Sequence, residues 1–490
     1  MRIRKVRLVE PGAPGLHVYS RIALPRLGLP MVSALLRREG IQDVRIYCED
    51  IAPIDFADIA SADLVGISTT TSTALRAYRI ASDVKRANPA AIVVIGGIHA
   101  TFMPHEPFDP EFRARHGLDA PVCDHVLVGE AETGLPPLLQ ALQAGERPMP
   151  VVGLRLRHAP AGPIDSSLVT HDLDALPWPD LGSIVGRERM RIAPIVTSRG
   201  CPFDCVFCAV IEMFGRNVRY RSIEVDDPRG VVAELRHMRD MGFRNVFFYD
   251  DNFTVRTERA KRLLENMLRA DVVPRTWTAQ VRATEVIRDR ELLALMQRTG
   301  CHMVYMGLES INPATLEEYN KKQSVEQIVE AVRVLREYGI RAHGMFVMGA
   351  DGDTVDTIRG TADFAIRHDV STVQFMILTP LPGTRSFESL RSQGRIFDDD
   401  WSRYDAHHTV FWPRGMSPRD LQVETFRAMA RVYRYARCAL AALRGNVYTA
   451  FYRWYAHGMV SGHVRRTVDY VQTLPATIWP AGGRLRGVGA

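Results

Sequence analysis

The first 145 residues alternate short β-branched runs with stretches in which apolar residues recur at helical spacing. The predicted strands cover residues 6–10, 44–47, 64–69, 92–95 and 126–128. Helices are predicted between them over 27–39 and 75–87. Because strands separated by helices need crossover connections, this pattern predicts a parallel, doubly wound sheet.

Small and hydroxylated residues follow several of these strands, at positions 11–12, 68–72 and 96–99. Ligands of doubly wound sheets bind beyond the carboxyl ends of the strands. Residues of this kind let a bulky ligand approach the backbone. We therefore expect a ligand site at this edge of the first sheet.

Residues 146–190 are rich in proline and have no clear helical period, which predicts a linker with a small β excursion. From residue 191 the alternation resumes. The new predicted strands cover 193–197, 245–249, 276–281, 303–308, 341–348 and 372–378, with helices over 231–241, 258–270, 325–338 and 354–368. Six such units predict a partial (β/α)6 barrel with its site at the carboxyl ends of the strands.

The expected fold class is therefore α/β. A doubly wound domain over 1–145 and a linker over 146–190 precede a partial barrel over 191–400 and a helical region over 401–490. A chain of 490 residues is too long for one hydrophobic core, which agrees with this division. The amino-terminal residues lack the continuous apolar core of a secretory signal, and the longest apolar stretch is too short to span a membrane. We expect a cytoplasmic protein, soluble or peripheral to a membrane.

Positive charge is concentrated at the carboxyl-terminal end. Residues 421–490 contain ten Arg, no Lys and two acids, so this segment carries +8 and the remaining 420 residues sum to −2. Arginines and aromatic residues interleave over 420–460. This composition indicates either an interfacial helix on an anionic membrane or a helical cap whose aromatic residues pack on the barrel. Nucleic acid is not an expected partner, because no recognised binding module is present.

Three of the seven cysteines, Cys201, Cys205 and Cys208, lie within eight positions just after a predicted strand. Spacings of three and two residues let three thiolates converge on one metal cluster. A [4Fe–4S] cluster normally has four protein thiolates, so three would leave one iron open to a small ligand. A structural zinc site or an electron-transfer cluster are the alternatives, but zinc sites usually pair two short Cys motifs and no second motif is present.

This triplet resembles the CxxxCxxC signature of the radical S-adenosylmethionine (SAM) superfamily. The resemblance implies that the open iron is chelated by the amino and carboxylate groups of SAM. Reductive cleavage would then produce a 5′-deoxyadenosyl radical that abstracts a substrate hydrogen. It also implies an electron donor such as flavodoxin or ferredoxin.

Segments that follow the later barrel strands resemble the SAM-contacting segments of that superfamily. The SAM-binding candidates that the resemblance implies are Tyr249, Asp250, Asp251, Asn252, Gln280, Arg282, Glu309, Ser310 and Met348. Taken singly, Asp250 and Asp251 could be solvated loop acids, and Glu309 could cap a helix. Their common position at strand ends, in the right order, favours the site role.

The first domain resembles the cobalamin-binding domain of B12-dependent radical SAM enzymes, on residues 66–69, 96–101 and 128–132. Together with the barrel, the domain resembles the anaerobic magnesium-protoporphyrin IX monomethyl ester cyclase-like family, which includes lipid-modifying members. The implied cobalamin contacts are Ser68, Gly96, Gly97 and His99. The DxHxxG motif of other cobalamin proteins is absent, so cobalamin could bind with its base displaced, or the domain could have lost it. His99 could equally make a structural hydrogen bond.

The expected activity is reductive SAM cleavage that generates a substrate radical. This radical would be methylated with the help of cobalamin, or it would be cyclised or coupled to carbon. The expected substrate is hydrophobic: a lipid, an isoprenoid or a tetrapyrrole. No catalytic side chain is assigned. Two alternatives are a radical enzyme with a vestigial cobalamin domain and a non-catalytic iron–sulfur or corrinoid carrier.

Overall fold

The computed structural model describes residues 3–13, 15, 23–118, 122–146, 148–149, 151–152 and 169–479. Much of the predicted linker and the last residues of the predicted tail lie outside these ranges. Contacts divide the chain into two compact units. The first runs to Pro202 and includes Ala209–Phe247, and the second consists of Phe203–Cys208 and the chain from Phe248 onward.

The first unit contains a parallel sheet in the order β2-β1-β3-β4-β5-β6. Its strands are β1 (Lys5–Glu10), β2 (Asp43–Cys48), β3 (Leu64–Ser68), β4 (Ile92–Gly96), β5 (His125–Leu127) and β6 (Val151–Val152). The strand order reverses at β1, between β2 and β3. The predicted doubly wound sheet is confirmed, with a switch point of the kind at which such sheets bind ligands.

Helices connect these strands. They are α1 (Gly28–Arg38), α2 (Phe56–Ala60), α3 (Ala74–Ala87), α4 (Ile98–Phe102), α5 (Pro110–Arg115) and α6 (Ala131–Gln143). In α3 the residues at helical spacing that include Ala77, Ala81 and Val84 are fully buried, while the opposite face carries Arg76 and Arg86. This amphipathic pattern is the reason that the segment forms a helix against the sheet.

A second sheet has the strand order β14-β13-β12-β11-β10-β7. The strands in the second part of the chain are β7 (Ile192–Ile195), β8 (Ser198–Arg199), β9 (Arg219–Tyr220), β10 (Asn245–Phe248), β11 (Thr276–Val281), β12 (Cys301–Glu309), β13 (Arg341–Met348) and β14 (Thr372–Ile377). Strands β11 to β14 are parallel neighbours, and β8 and β9 form a separate antiparallel ribbon. The six predicted barrel strands are all present.

Helices follow the strands of this second set. They are α7 (Val210–Phe214), α8 (Val231–Asp240), α9 (Thr257–Arg269), α10 (Ala283–Val286), α11 (Arg290–Arg298), α12 (Pro313–Glu318), α13 (Val325–Glu337), α14 (Val355–Arg367) and α15 (Arg385–Ser392). Helices α13 and α14 begin at capping boxes, in which Ser324 and Thr354 exchange hydrogen bonds with the residue three positions later. These caps explain why α13 begins at the predicted residue and why α14 begins one residue after its predicted start, which is the cap itself.

Four helices close the described chain: α16 (Pro418–Val432), α17 (Tyr435–Leu443), α18 (Val447–Arg466) and α19 (Val468–Thr473). Helix α16 packs on α14 and β14, and the Tyr433 hydroxyl after it accepts a hydrogen bond from the backbone N–H of Val373 at 2.7 Å. Among the described residues, no helix combines the length and apolar character needed to cross a bilayer.

Candidate active site

The three clustered cysteines lie in the loop between β8 and α7. Cys205 is buried, whereas Cys201 and Cys208 are half-buried. All seven cysteines, each of which the structure describes, are thiols rather than disulfides. Within the described ranges no three His, Cys, Asp or Glu side chains are already arranged as a metal-binding group. The ligand role of the triplet therefore remains a prediction.

The part of this loop that belongs to the second unit is anchored on both sides. The backbone N–H of Val206 donates to the carbonyl of Tyr319 at 3.3 Å, and Ser386 donates to the carbonyl of Val206 at 3.1 Å. The Asn320 side-chain amide and the Arg385 guanidinium both donate to the carbonyl of Asp204 at 2.8 Å. These bonds fix the backbone that carries Cys205 and Cys208.

Arg282, a predicted SAM contact, touches this loop directly. Its guanidinium carbon lies 3.6 Å from the centre of the Phe203 ring, and its Nη2 donates to the Lys321 carbonyl at 2.5 Å. Only 6% of the residue is exposed. A buried cation on an aromatic face is a strong contact, so Arg282 ties the cysteine loop to the segment at Lys321.

The segment after β10 carries four predicted SAM contacts. Asp250 and Asn252 are buried, while Tyr249 and Asp251 are half-buried. Gln280 at the end of β11 accepts from the Phe253 N–H at 2.9 Å through its carbonyl, and its side-chain amide lies 3.4 Å from the Asp250 carbonyl. The structure thus brings the β10 and β11 candidates together.

The side-chain amide nitrogen of Asn252 has no hydrogen-bond partner among the described residues. Its Oδ1 accepts from the backbone N–H and the hydroxyl of Thr254, at 3.2 and 3.1 Å. The Nδ2 atom is buried. A buried amide donor without a partner is costly, and it fits a bound carboxylate or hydroxyl group.

Glu309, the last residue of β12, has a left-handed backbone with φ of 61°. Its Oε1 lies 2.7 Å from Nζ of Lys321, and both residues are buried. Non-glycine residues in this conformation are strained, and such strain concentrates at functional sites. Lys321 was not a sequence candidate. The available signal was that it is one of the few lysines in a chain that otherwise uses arginine.

The remaining candidates of the second unit are buried at strand ends. The Ser310 hydroxyl accepts from the backbone N–H of Asn312 at 3.0 Å. The carbonyl of Met348 accepts from the N–H of Leu378 at 2.8 Å, and the Met348 side chain is buried. Both residues therefore make hydrogen bonds that stabilise the ends of β12 and β13, and a contact with SAM remains a prediction for each.

In the first unit, the predicted cobalamin contacts at β3 and β4 are linked by hydrogen bonds. The backbone N–H and the hydroxyl of Thr69, next to Ser68, both donate to the Gly96 carbonyl at 2.8 Å. Gly97 has φ of 98°, and a Cβ there would meet the Thr69 carbonyl oxygen at 2.5 Å. Only glycine allows the loops after β3 and β4 to approach this closely.

His99 lies just beyond these loops, but its side chain is 0% exposed. Its Nε2 lies 3.0 Å from Glu106 Oε2, and its ring centre lies 6.3 Å from that of Tyr78. This arrangement favours the structural interpretation of His99. A direct cobalamin contact by His99 remains a prediction.

The donor groups fit the implied cofactors. Thiols are soft ligands of the kind that an iron–sulfur centre prefers, and the loop around Cys205 and Cys208 is anchored. The residues at the switch point are small, and the loops after β3 and β4 present hydroxyls and glycines. A flat, bulky ligand can approach the backbone of such an edge.

Comparison with known proteins identifies the family of the chain. The radical SAM superfamily matches residues 195–365, and the B12 binding domain matches residues 20–139. The bacteriochlorophyllide d C-12(1)-methyltransferase of Chlorobaculum tepidum is 30% identical over 437 residues, which cover 88% of each chain. The anaerobic magnesium-protoporphyrin IX monomethyl ester cyclase of Rubrivivax gelatinosus is 27% identical over 375 residues, covering 73% of this chain and 63% of the cyclase.

A solved structure supports the fold. The cobalamin-dependent SAM radical enzyme OxsB, with aqua-cobalamin and SAM bound, aligns with a TM-score of 0.64 at 16% identity, over 96% of this chain and 75% of OxsB. The sequence relatives decide the family. The chain belongs to the radical SAM enzymes that carry a B12-binding domain, and it is an enzyme that uses a [4Fe–4S] cluster, SAM and cobalamin.

Proposed function

We propose that this enzyme transfers a methyl group to a carbon of a hydrophobic substrate. The observation that carries the proposal is the presence, in one chain, of a three-cysteine loop, anchored around Asp204 and Val206, and of a doubly wound sheet with glycines and hydroxyl side chains in the loops after β3 and β4. When bound, the cluster supplies the electron that cleaves SAM, and cobalamin supplies the methyl group.

In this proposal Cys201, Cys205 and Cys208 hold the cluster. Arg282, Asn320 and Arg385 keep the loop in place through the contacts at Phe203 and Asp204. These bonds would hold the thiols of Cys205 and Cys208 at constant positions, because the backbone that carries them cannot move without breaking the bonds.

SAM would be bound by groups at the ends of β10, β11 and β12. The unpartnered Asn252 amide would donate to an oxygen of SAM, and Gln280 would support that segment. Glu309 would contact the ribose hydroxyls, held by Lys321 so that its carboxylate cannot turn away. The role of these side chains is to bind and orient SAM and to exclude water from it.

The proposed substrate class is lipid, isoprenoid or tetrapyrrole, with flavodoxin or ferredoxin as the electron donor. Support comes from two relatives, a bacteriochlorophyllide d methyltransferase and an anaerobic magnesium-protoporphyrin IX monomethyl ester cyclase. The cyclase supports a second candidate reaction, in which the substrate radical closes a ring or forms a carbon–carbon bond without methyl transfer.

We also propose that the end of the α17–α18 pair contacts an anionic membrane. Between Glu424 and Asp469 the sequence contains eight Arg and no acid. Large apolar side chains on these helices are exposed: Tyr435, Leu440, Leu443, Val447, Phe451 and Trp454. Positive charge beside exposed aromatic residues matches an anionic bilayer surface.

Not all of the predicted tail residues belong to this surface. Arg453 is buried and donates to the Val370 carbonyl and to Asp369, both at 3.1 Å, and Tyr433 is buried against β14. One face of α18 therefore packs on the domain while another is exposed. The packed face agrees with the cap interpretation, and the exposed face supports the membrane proposal.

The two candidate reactions differ in the products of SAM. The test is anaerobic incubation of cluster-reconstituted protein with SAM and a reductant, with and without bound hydroxocobalamin. Methyl transfer predicts S-adenosylhomocysteine that depends on the corrinoid. Formation of 5′-deoxyadenosine alone, whether or not corrinoid is bound, would favour cyclisation or coupling.

A further inference from the structure

A buried network of ion pairs joins two parts of the first unit that the sequence analysis treated separately. We call it the Glu130 network, and it consists of Glu130, Glu132, Arg199 and Arg219. Glu130 and Glu132 follow β5 at the carboxyl edge of the first sheet. Arg199 and Arg219 lie opposite each other on the β8–β9 ribbon.

The geometry of the network is well defined. The two Arg219 Nη atoms each lie 2.9 Å from a different oxygen of Glu130. Arg199 lies 3.1 Å from Glu130 and 2.7 Å from Glu132. Glu130 also accepts from the Thr170 N–H at 2.5 Å. Bidentate arginine–carboxylate pairs of this kind fix orientation as well as distance.

Burial makes this network unlike a surface ion pair. The Glu130 side chain is 2% exposed and that of Arg219 is 9% exposed. Burial alone would raise the pKa of Glu130, but its hydrogen bonds to Arg219 and the charge of Arg199 outweigh burial, so the pKa lies below its usual range. Removing one partner would leave a buried charge uncompensated, which is strongly unfavourable.

On one side the network continues to the predicted cobalamin loops. Gly129, next to Glu130, donates its N–H to the Thr101 hydroxyl at 3.1 Å. That hydroxyl donates to the Gly97 carbonyl at 2.9 Å, and Gly97 packs against Thr69. Hydrogen bonds thus join the loops after β3, β4 and β5, and they end at Gly129, the residue before Glu130.

On the other side the network ends next to the first cysteine. Arg199 precedes Gly200 and Cys201. Gly200 has φ of 96°, and a Cβ there would lie 3.3 Å from the Asn217 carbonyl oxygen. The backbone therefore leaves the ribbon along a path that few residues could follow, and a shift of Arg199 would move Cys201.

We propose that Glu130, Glu132, Arg199 and Arg219 are positioning residues that couple cobalamin occupancy of the first sheet to the order of the chain at Cys201. This inference rests on the proposed use of the switch-point edge by cobalamin. Coupling of this kind is reciprocal: an intact network makes cobalamin bind more tightly, and bound cobalamin makes the ribbon more rigid.

Hydrogen–deuterium exchange of the cluster-reconstituted enzyme tests the proposal, with hydroxocobalamin as the probe. In the wild type, bound hydroxocobalamin should slow exchange in peptides that cover residues 198–202 and 217–221. Glu132→Gln and Arg199→Lys should abolish this protection and weaken hydroxocobalamin binding about tenfold, corresponding to a coupling within the usual range for linked sites. Glu132→Gln leaves the bidentate Glu130–Arg219 pair intact, so the variant retains its main buried pair.

The matched control is Arg7→Lys. Arg7 also forms a buried pair in the first unit, with Asp58 at 2.5 Å, but it lies in β1 away from the Glu130 network. The Arg7→Lys variant should bind hydroxocobalamin with wild-type affinity and show wild-type protection against hydrogen exchange. Wild-type affinity and protection in Arg199→Lys and Glu132→Gln would overturn the coupling alone. A wild-type enzyme that binds no hydroxocobalamin would overturn the proposed function and the coupling together.

Discussion

Glu309 and Lys321 form a buried ion pair, with 2.7 Å between Oε1 and Nζ, at the point where β12 ends. A Cβ on Gly307 would lie 2.3 Å from Oε1 and 2.7 Å from Nζ, so the glycine provides the space that the pair occupies. The ion pair therefore needs Gly307 as well as its two members. Of these three residues, the sequence analysis identified only Glu309 as a site candidate.

Replacing Lys321 with Met should destabilise the protein by about 3–5 kcal/mol, because it leaves the buried Glu309 carboxylate without its partner. Urea unfolding of the metal-free protein, followed by fluorescence, measures the change. The neighbouring Lys322 is exposed, so Lys322→Met is the control and should change stability by less than about 0.5 kcal/mol. Equal losses in both variants would show that the pair does not carry the effect.

Arg282→Gln should accelerate loss of the reconstituted cluster up to about thirtyfold, because a desolvated cation–π contact contributes about 2 kcal/mol. The contact removed is the one to Phe203, at 3.6 Å from its ring centre. Iron release in the presence of a chelator measures the rate. Phe203→Leu should have the same effect, whereas Arg288→Gln, at an exposed position on the same segment, should have none.

Serine at any one of Cys201, Cys205 or Cys208 should prevent assembly of a stable [4Fe–4S] cluster, because a three-thiolate site has no ligand to spare. The visible absorbance of the iron–sulfur cluster and the iron content per chain measure assembly. The control is Cys438→Ser, since Cys438 donates weakly to the Arg434 carbonyl at 3.6 Å and a serine hydroxyl can do the same. A serine variant of the triplet with full iron content would exclude that residue as a ligand.

His463 should make the protein less stable in acid. Burial and the nearby His407 and His408 lower its pKa to about 3, against the opposing effect of Asp405. The folded state therefore binds its proton less readily than the unfolded state, and stability falls as pH drops below the unfolded value of about 6.5. Between pH 7.5 and 5.5 this histidine should account for a loss of about 1.4 kcal/mol.

The variant that tests this histidine is His463→Phe, because the ring stacks on Phe426 at 4.4 Å and a phenyl ring keeps that contact. Urea unfolding at the two pH values should show a smaller difference in the variant than in the wild type. An unchanged difference would mean that other groups determine the acid sensitivity.

Replacing both Phe451 and Trp454 with Ser should reduce binding to anionic vesicles, since both side chains are more than half exposed on α18. Co-sedimentation with vesicles of phosphatidylglycerol and phosphatidylcholine measures binding. Phe56→Ser removes an exposed aromatic residue from the first unit and should leave binding unchanged. No binding of the wild type at low salt would contradict the membrane proposal.

The periodic parts of the chain were predictable from sequence. Strands β11 and β13 occupy the predicted residues, and the ends of the other predicted strands differ by one or two positions. The hydrophobic period and the helix caps depend only on residues that are close in sequence, so they can be recognised without knowledge of the tertiary structure. The two-residue strands β8 and β9 were not predicted, and β6 falls in the linker for which only a β excursion without bounds was predicted, because such short pairings leave no period.

The contacts of the site were less predictable than its location. The sequence predicted Arg282 as a site residue but not its contact with Phe203 of the cysteine loop, and it did not single out Lys321, which pairs with Glu309. These partners are separated by many residues in sequence, so no local pattern encodes them. The tail shows the same limit: composition identified a basic aromatic segment, but only packing decides that Arg453 is buried and Trp454 is exposed.

The most direct test is the amount of 5′-deoxyadenosine formed when the anaerobically reconstituted protein is reduced in the presence of SAM. The wild type should form it, and the Cys201, Cys205 and Cys208 serine variants should form none. Absence of 5′-deoxyadenosine from wild-type protein that contains an intact cluster would contradict the assignment of this chain as a radical enzyme.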